Sequence, residues 1–228
     1  MSTRPQTVEQ CIDWVRQHNI DEVECIVPDM NGIMRGKIVP REDFVRSFSG
    51  TGLRLPEHVL LQGVTGDTPY DTRVAAEIDQ DIRAVPDVTT IRMVPWYQLP
   101  TAQVICDCVF TSGEQVDYAP RSVLRRVLDA YAARGLKPIV APEVEFYLVA
   151  KSSNHDLPLT VPPGLSGRAE SGRQAYGIEA ANEFDPVVED IYAFAEASGI
   201  EIGTMAHESG PAQLEMNFRH GDPIELAD

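Results

Sequence analysis

The chain has 228 residues, 43% hydrophobic and 24% charged, which is typical of a soluble globular protein with one large domain or two small ones. Its 19 basic and 35 acidic residues give a formal net charge of −16, which argues against nucleic acid or an anionic membrane as a partner. The first ten residues lack the apolar stretch of a signal peptide and no run approaches membrane-spanning length, so we expect a cytoplasmic protein.

The N-terminal part of the chain predicts a short helix followed by a β-hairpin. Thr7 and Gln10 have the spacing of a capping box, and apolar residues between Val8 and Val15 share one helical face. Strand-like segments over 23–27 and 33–39 flank an Asn-Gly turn. This pattern is typical of two antiparallel strands joined by a turn.

The next stretch predicts loops and then one strong strand. Residues 48–87 are rich in Gly, Thr, Asp and Pro with little periodicity, so we expect long loops there. Residues 101–110 are strongly strand-like and end at Ser112-Gly113, where we expect a domain boundary. Cys106 and Cys108 lie on one side of this strand, and because no second ligand pair has zinc-site spacing, we expect buried, reduced thiols.

The second half predicts two helices and three strands around one irregular segment. Apolar residues between Val123 and Tyr131 predict a buried stripe on the first helix, and residues 151–181, which lack periodicity, predict a long mobile loop. In chain order we predict a helix from Pro120 to Gly135, a strand over 139–149, a helix from Asp185 to Gly199, and strands over 200–206 and 212–218 joined at Gly210-Pro211.

Two pairs of glutamates stand out in these strands. Glu143 and Glu145 alternate with apolar residues, so both project to one side of their strand. Glu208 and Glu215 flank the tight corner, and a hairpin would bring them close. If that hairpin pairs beside the first strand, the converging carboxylates need a counter-charge, and all-oxygen ligands suit Mg²⁺ or Mn²⁺. The alternative, glutamates that are merely exposed, stays open at this point.

The order of these motifs is similar to that of the glutamine synthetase family over essentially the whole chain. Each motif alone is modestly specific, but a chance match does not explain their order and spacing together. The matching segments are Val23–Pro40 with Asp29, Gly32, Arg35, Gly36, Lys37 and Pro40, then Pro86-Asp87 with Thr90, Pro95-Trp96, Cys106-Asp107, the Glu-x-Glu strand Pro142–Phe146, and the hairpin Glu208–Glu215.

The resemblance implies an α+β fold. Residues 1–113 would form a β-grasp-like N-terminal domain, and residues 114–228 would form the first part of a truncated antiparallel-sheet catalytic domain with packed helices. It also implies that Glu145, Glu208 and Glu215 hold one Mg²⁺ or Mn²⁺ and that Glu143 contributes to a second.

The activity implied is that of a ligase of nitrogen metabolism that uses ATP and glutamate as substrates. The γ-carboxylate of glutamate is phosphorylated, and an amine then displaces phosphate to give a γ-glutamyl amide. Residues 53–67 lack the Phe-Asp-Gly-Ser-Ser segment of the ammonia-using enzymes, and His207 before Glu208 resembles the γ-glutamylpolyamine (γ-glutamylputrescine) synthetase branch. A polyamine or another amine is therefore the expected acceptor, with ammonia as an alternative.

The family continues past this point for about as many residues again. Its catalytic residues and its ATP- and glutamate-binding residues are therefore expected outside this chain, which alone should be inactive. Family active sites form between neighbouring subunits, which implies a homo-oligomeric ring. A second hypothesis is a truncated, non-catalytic relative that binds metal or a full-length partner subunit. Without the remaining strands of the family's catalytic domain, the sheet would expose strand edges and apolar surface. We therefore expect the chain alone to aggregate or oligomerise.

Overall fold

A computed structural model describes residues 4–67, 79–154 and 156–228. Contacts divide the chain into two compact units, Met1–Pro138 with Asp228, and Ile139–Ala227. Both units contain helices and strands, which confirms the mixed α and β class. The domain boundary expected at residue 113 stays a prediction, and the helix that follows it lies in the first unit.

The first unit is a six-stranded mixed sheet with helices. Thr7 caps its first helix by accepting a hydrogen bond from the backbone N–H of Gln10, as the sequence predicts. In chain order its elements are α1 (Val8–Gln17), β1 (Glu22–Pro28), β2 (Met34–Pro40), α2 (Arg41–Ser47), β3 (Leu53–Pro56), β4 (Asp81–Pro86), β5 (Arg92–Met93), β6 (Thr101–Phe110) and α3 (Pro120–Ala132), with 3₁₀ turns at Glu57–Leu60 and Val88–Thr90.

The sheet has the strand order β2-β1-β6-β4-β3, and β5 also pairs with β6. The predicted hairpin is confirmed, because β1 and β2 pair antiparallel from Glu22–Pro40 to Pro28–Met34. β1 and β6 pair parallel, whereas β4 and β5 pair antiparallel with β6. Residues of β1 alternate between buried and half-buried, as a strand with one face on the core does.

Two expectations for the first unit are wrong. Residues 48–87 are not all loop, because they contain β3 and β4, which pair with each other; residues 68–78 lie outside the described residues. The apolar stripe predicted on α3 is not fully buried either, since Val123, Val127 and Tyr131 are exposed and Leu124 and Leu128 are half-buried.

The helix α3 turns its polar side inward because of one arginine. Arg121 lies 2.5 Å from Asp107, 2.6 Å from Asp228 and 2.9 Å from Asp87. These ion pairs hold the guanidinium at 7% side-chain exposure. Three residues of the apolar stripe, Val123, Val127 and Tyr131, stay exposed on another side of the helix.

The second unit is a three-stranded antiparallel sheet with the order β7-β9-β8 and a small core against helix α5. Gly199, with a φ of 70°, ends α5 in the left-handed conformation that favours glycine. Its elements are β7 (Glu143–Tyr147), α4 (Ile178–Asn182), α5 (Asp185–Ser198), β8 (Ile202–His207), β9 (Gln213–Phe218) and α6 (Pro223–Ala227).

The loop predicted over 151–181 is wrong for residues 178–181, because α4 begins at Ile178. The segment between β7 and α4 contains no named helix or strand among its described residues. Its last part is nevertheless tied down, because the backbone N–H groups of Arg173 and Tyr176 donate to the carbonyls of Ser209 and His207. The expectation of a mobile loop is therefore wrong for this part. No helix in the described ranges is long and apolar enough to cross a membrane.

Candidate metal centre

The carboxylate cluster begins with a cross-strand pair. β7 and β9 pair antiparallel with Glu145 directly opposite Glu215 and with Glu143 opposite Asn217. Directly opposed residues of an antiparallel pair have Cβ atoms about 4.5–5.5 Å apart, and like charges there destabilise the sheet. The strand pairing therefore creates a carboxylate pair that costs free energy unless something compensates it.

The opposite face of the same strands carries the core of the second unit. Phe146 pairs with Leu214, and both belong to the apolar cluster that contains Phe184 at the start of α5. Because side chains alternate along a strand, this packing directs Glu145 and Glu215 to the other face. The apolar residues that pack on the core therefore determine which face of these strands carries the glutamates.

Glu208 joins the pair from the corner between β8 and β9. Its backbone N–H donates to the carbonyl of Gln213 at 2.8 Å, so it lies across from the first residue of β9. A side-chain hydrogen bond with Glu215 and desolvation raise the pKa of Glu208, and the charges of Glu215 and Glu145 raise it further. Glu215 and Glu145 therefore lie close enough to Glu208 to raise its pKa.

Neutral amides are the hydrogen-bond donors to this cluster. Gln213 Nε2 donates to Glu145 Oε2 at 2.7 Å, and Asn217 Nδ2 donates to Glu215 Oε1 at 2.8 Å. The backbone N–H of Ser209 donates to Glu208 Oε2 at 3.2 Å. Amides orient carboxylates without neutralising them, so the negative charge of the cluster is left for another group to balance.

The donor set fits a hard divalent cation, although the described side chains are not pre-arranged as a complete site. Within residues 4–67, 79–154 and 156–228 no group of three or more His, Cys, Asp or Glu residues is positioned to hold a metal ion. Converging carboxylates suit Mg²⁺ or Mn²⁺, which prefer oxygen ligands. The structure thus brings Glu145, Glu208 and Glu215 together and places Glu143 two residues along the same face.

His207 lies on the other side of the corner. Its side chain is buried, and its Nε2 lies 2.8 Å from Glu170 Oε2. Glu170 Oε2 also accepts a 2.7 Å hydrogen bond from the backbone N–H of Ala212. Sequence reasoning missed Glu170 because it stands in an aperiodic segment, and its partners lie 37 and 42 residues further along the chain.

Comparison with known proteins places this geometry in context. Residues 117–228 match the family described as glutamine synthetase, catalytic domain. Glutamate–isopropylamine ligase from a Pseudomonas species is 28% identical over 222 residues, which cover 95% of this chain and 47% of that protein. The γ-glutamylputrescine synthetase PuuA of Escherichia coli K12 is 28% identical over 212 residues, covering 92% of this chain and 44% of that protein.

The solved structures agree in fold. A structure titled "Apo GmaS without ligand" has a TM-score of 0.70 at 21% identity and covers 92% of this chain and 45% of its own. A structure titled "Crystal structure of novel glutamine synthase homolog" has a TM-score of 0.71 at 21% identity and covers 89% and 44%. The chain spans about half the length of the curated relatives it matches.

Proposed function

Because the chain belongs to the glutamine synthetase family, we propose that it carries the first metal ligands of an ATP-dependent carboxylate–amine ligase. The reaction joins glutamate to an amine through a γ-glutamyl phosphate and releases phosphate as the γ-glutamyl amide forms. The observation that carries the proposal is the cross-strand pair of Glu145 and Glu215, with Glu208 beside it on the same face.

Within this proposal, each glutamate has a defined role. Glu145, Glu208 and Glu215 hold one Mg²⁺ or Mn²⁺, and Glu143 contributes to a second. Such ions supply charge neutralisation for carboxylate and phosphoryl oxygens. The amides of Gln213 and Asn217 keep the carboxylates of Glu145 and Glu215 turned toward the shared face.

The proposed acceptor is a polyamine or another organic amine. Residues 53–67 lack the Phe-Asp-Gly-Ser-Ser segment, and several relatives are named for organic amines or their products: isopropylamine, putrescine, ethanolamide and methylamine. Ammonia is the alternative, since a relative from Pyrococcus horikoshii that is 25% identical is named glutamine synthetase. A panel of amines offered to the assembled enzyme, with γ-glutamyl products measured by mass spectrometry, separates the two.

A second candidate function is a non-catalytic relative that binds metal or a full-length partner subunit. The exposed apolar stripe of α3, which includes Val123, Val127 and Tyr131, favours it, because such a surface suits a protein partner. ATP turnover by the 228-residue chain alone would contradict this candidate.

We also propose that the first unit is β-grasp-like and that the assembled enzyme is a homo-oligomeric ring. The parallel pairing of β1 and β6, the first and last strands, at the centre of a mixed sheet supports the first point. The resemblance to the family supports the second. Light scattering coupled to size-exclusion chromatography measures the assembly directly.

Metal binding is the step to test first. Isothermal titration should show saturable Mn²⁺ binding to the unsubstituted chain, and Glu215→Gln should abolish it. Glu189→Gln is the matched control, because Glu189 is exposed on α5, and α5 packs against the apolar face of the sheet, opposite the glutamates. A chain that shows no saturable Mn²⁺ binding, or a Glu215→Gln variant that binds as well as the control, would refute the proposed ligand set.

A further inference from the structure

A short segment before α4 is fastened to the corner that carries Glu208. We call residues 170–176 the strap and residues 207–213 the corner. Arg173 N–H donates to the carbonyl of Ser209 at 2.7 Å, and Tyr176 N–H donates to the carbonyl of His207 at 2.8 Å. Backbone bonds therefore hold the strap along His207–Ser209, where β8 leads into the corner.

A buried pair of polar side chains adds a third fastening. Glu170 and His207 have side-chain exposures of 6% and 0%, and they lie 2.8 Å apart. Glu170 Oε1 and His207 Nδ1 are buried without a hydrogen-bond partner among the described residues. Burial of such groups is costly and contributes little net stability, so a pair of this kind is better explained by the geometry it specifies.

Backbone strain is concentrated at the same place. Four non-glycine residues have a positive φ in the described part of the chain, and three of them are Arg173 at 74°, Tyr176 at 60° and Ala212 at 54°. Residues in such conformations persist only where the surrounding structure over-determines them, and they cluster at functional sites. The corner is also seated closely on β7, because a Cβ at Gly210 would lie 2.5 Å from the Tyr147 ring.

We propose that the strap is a clamp that sets the geometry of the carboxylate cluster, with Glu170 and His207 as positioning residues for divalent-cation binding. His207 and Glu208 are consecutive, so holding His207 on the buried side turns Glu208 to the opposite face. The bond from Ala212 N–H to Glu170 fixes the start of β9, which places Glu215 opposite Glu145. This inference rests on the proposed metal-binding function.

The test compares Mn²⁺ affinity with folding stability in the full chain. Glu170→Ala should weaken Mn²⁺ binding by about 10- to 100-fold, the loss typical of removing a group that orients metal ligands. Glu170→Gln keeps an acceptor for Ala212 N–H and should recover most of that affinity, while Glu189→Ala should bind like the unsubstituted chain. A purely structural role would lower the melting temperature and leave the affinity of the folded protein unchanged.

Hydrogen exchange in metal-free protein separates this inference from the proposed function. Glu170→Ala should accelerate exchange at the amides of Arg173, Tyr176 and Ala212, and Glu189→Ala should not. If the unsubstituted chain binds Mn²⁺ and both Glu170 variants bind Mn²⁺ as tightly as it does, the clamp is overturned and the proposed function stands. If the unsubstituted chain binds no Mn²⁺, the proposed function fails and the clamp's role in cation binding is overturned with it. Accelerated exchange at the three amides would then show only that Glu170 fastens the strap to the corner, and unchanged exchange would overturn that fastening as well. If Glu170→Ala does not fold, Glu170→Gln and His207→Gln decide by the same two measurements.

Discussion

Replacing Glu145 by glutamine should have opposite effects on the metal-free and the metal-loaded protein. Glu145 stands directly opposite Glu215, so the substitution removes one of two facing negative charges while keeping an oxygen that can accept from Gln213 Nε2. Cross-strand charge pairs change stability by about 0.2–1 kcal/mol. For a chain of this size the melting temperature of the metal-free protein should therefore rise by up to about 4 °C.

The metal-loaded protein should respond in the other direction. At a Mn²⁺ concentration 100 times the dissociation constant, binding stabilises the folded state by about 2.7 kcal/mol, which corresponds to roughly 5–11 °C in a chain of this length. Glu145→Gln should lose most of that shift, because it removes a proposed ligand. Thermal melts by circular dichroism, with and without Mn²⁺, measure both effects in one series.

The change in melting temperature caused by Glu145→Gln should thus have opposite signs without and with Mn²⁺, which a general loss of stability would not produce. Glu189→Gln is the control and should leave both melting temperatures unchanged, since Glu189 is exposed on α5. The metal-free gain should shrink only partly in high salt, because Glu145 is exposed but Glu215 is buried, and salt screens buried charges less than exposed ones. A Glu145→Gln protein that is less stable without metal, or that keeps the full Mn²⁺ shift, would refute the view that these two carboxylates form one cation site.

Three further substitutions test other parts of the structure. The pKa of Glu208 is raised in the folded protein. The protonated carboxyl group therefore stabilises the fold fully below the ordinary pKa of 4.5, and this stability is lost as the pH rises through the raised pKa. Glu208→Gln should remove this pH dependence from the urea unfolding of metal-free protein. Leu214→Ala should cost about 2–5 kcal/mol by urea unfolding, because Leu214 is 1% exposed in the small core of the second unit, and an unchanged midpoint would contradict that core. Arg121→Leu should cost about 3–5 kcal/mol in the same assay, since it leaves Asp87 and Asp107 partly buried without their guanidinium, and a neutral result would mean that the ion pairs are solvated.

Local sequence patterns predicted those parts of the molecule that local interactions determine. The Thr7 cap, the hairpin of β1 and β2 and the alternation around Glu145 all follow from spacings of a few residues. The glutamate face could be predicted because a period of two in the strand also separates polar from apolar side chains. The end of α5 at Gly199 followed from the preference of glycine for positive φ.

Features that depend on distant partners could not be predicted in this way. Arg121 decides which side of α3 is buried, and its carboxylate partners lie up to 107 residues away, so the apolar stripe alone did not show that side. Glu170 reaches its partners across 37 and 42 residues of chain and has no periodic pattern around it. The strands β3 and β4 are short and lie in a stretch rich in turn-forming residues, which concealed their pairing.

The parallel pairing of β1 with β6 also has a consequence for how the chain is made. β6 ends at Phe110, so after β2 ends at Pro40 the ribosome must add residues 41–110 before the central strand of the sheet exists. At about 5–20 residues per second this takes roughly 4–14 s. Throughout that interval one edge of the nascent hairpin has no strand beside it, and such an edge is open to pairing with other chains. Slower synthesis through residues 41–110 should therefore lower the yield of folded protein, and chaperone access during that interval should raise it.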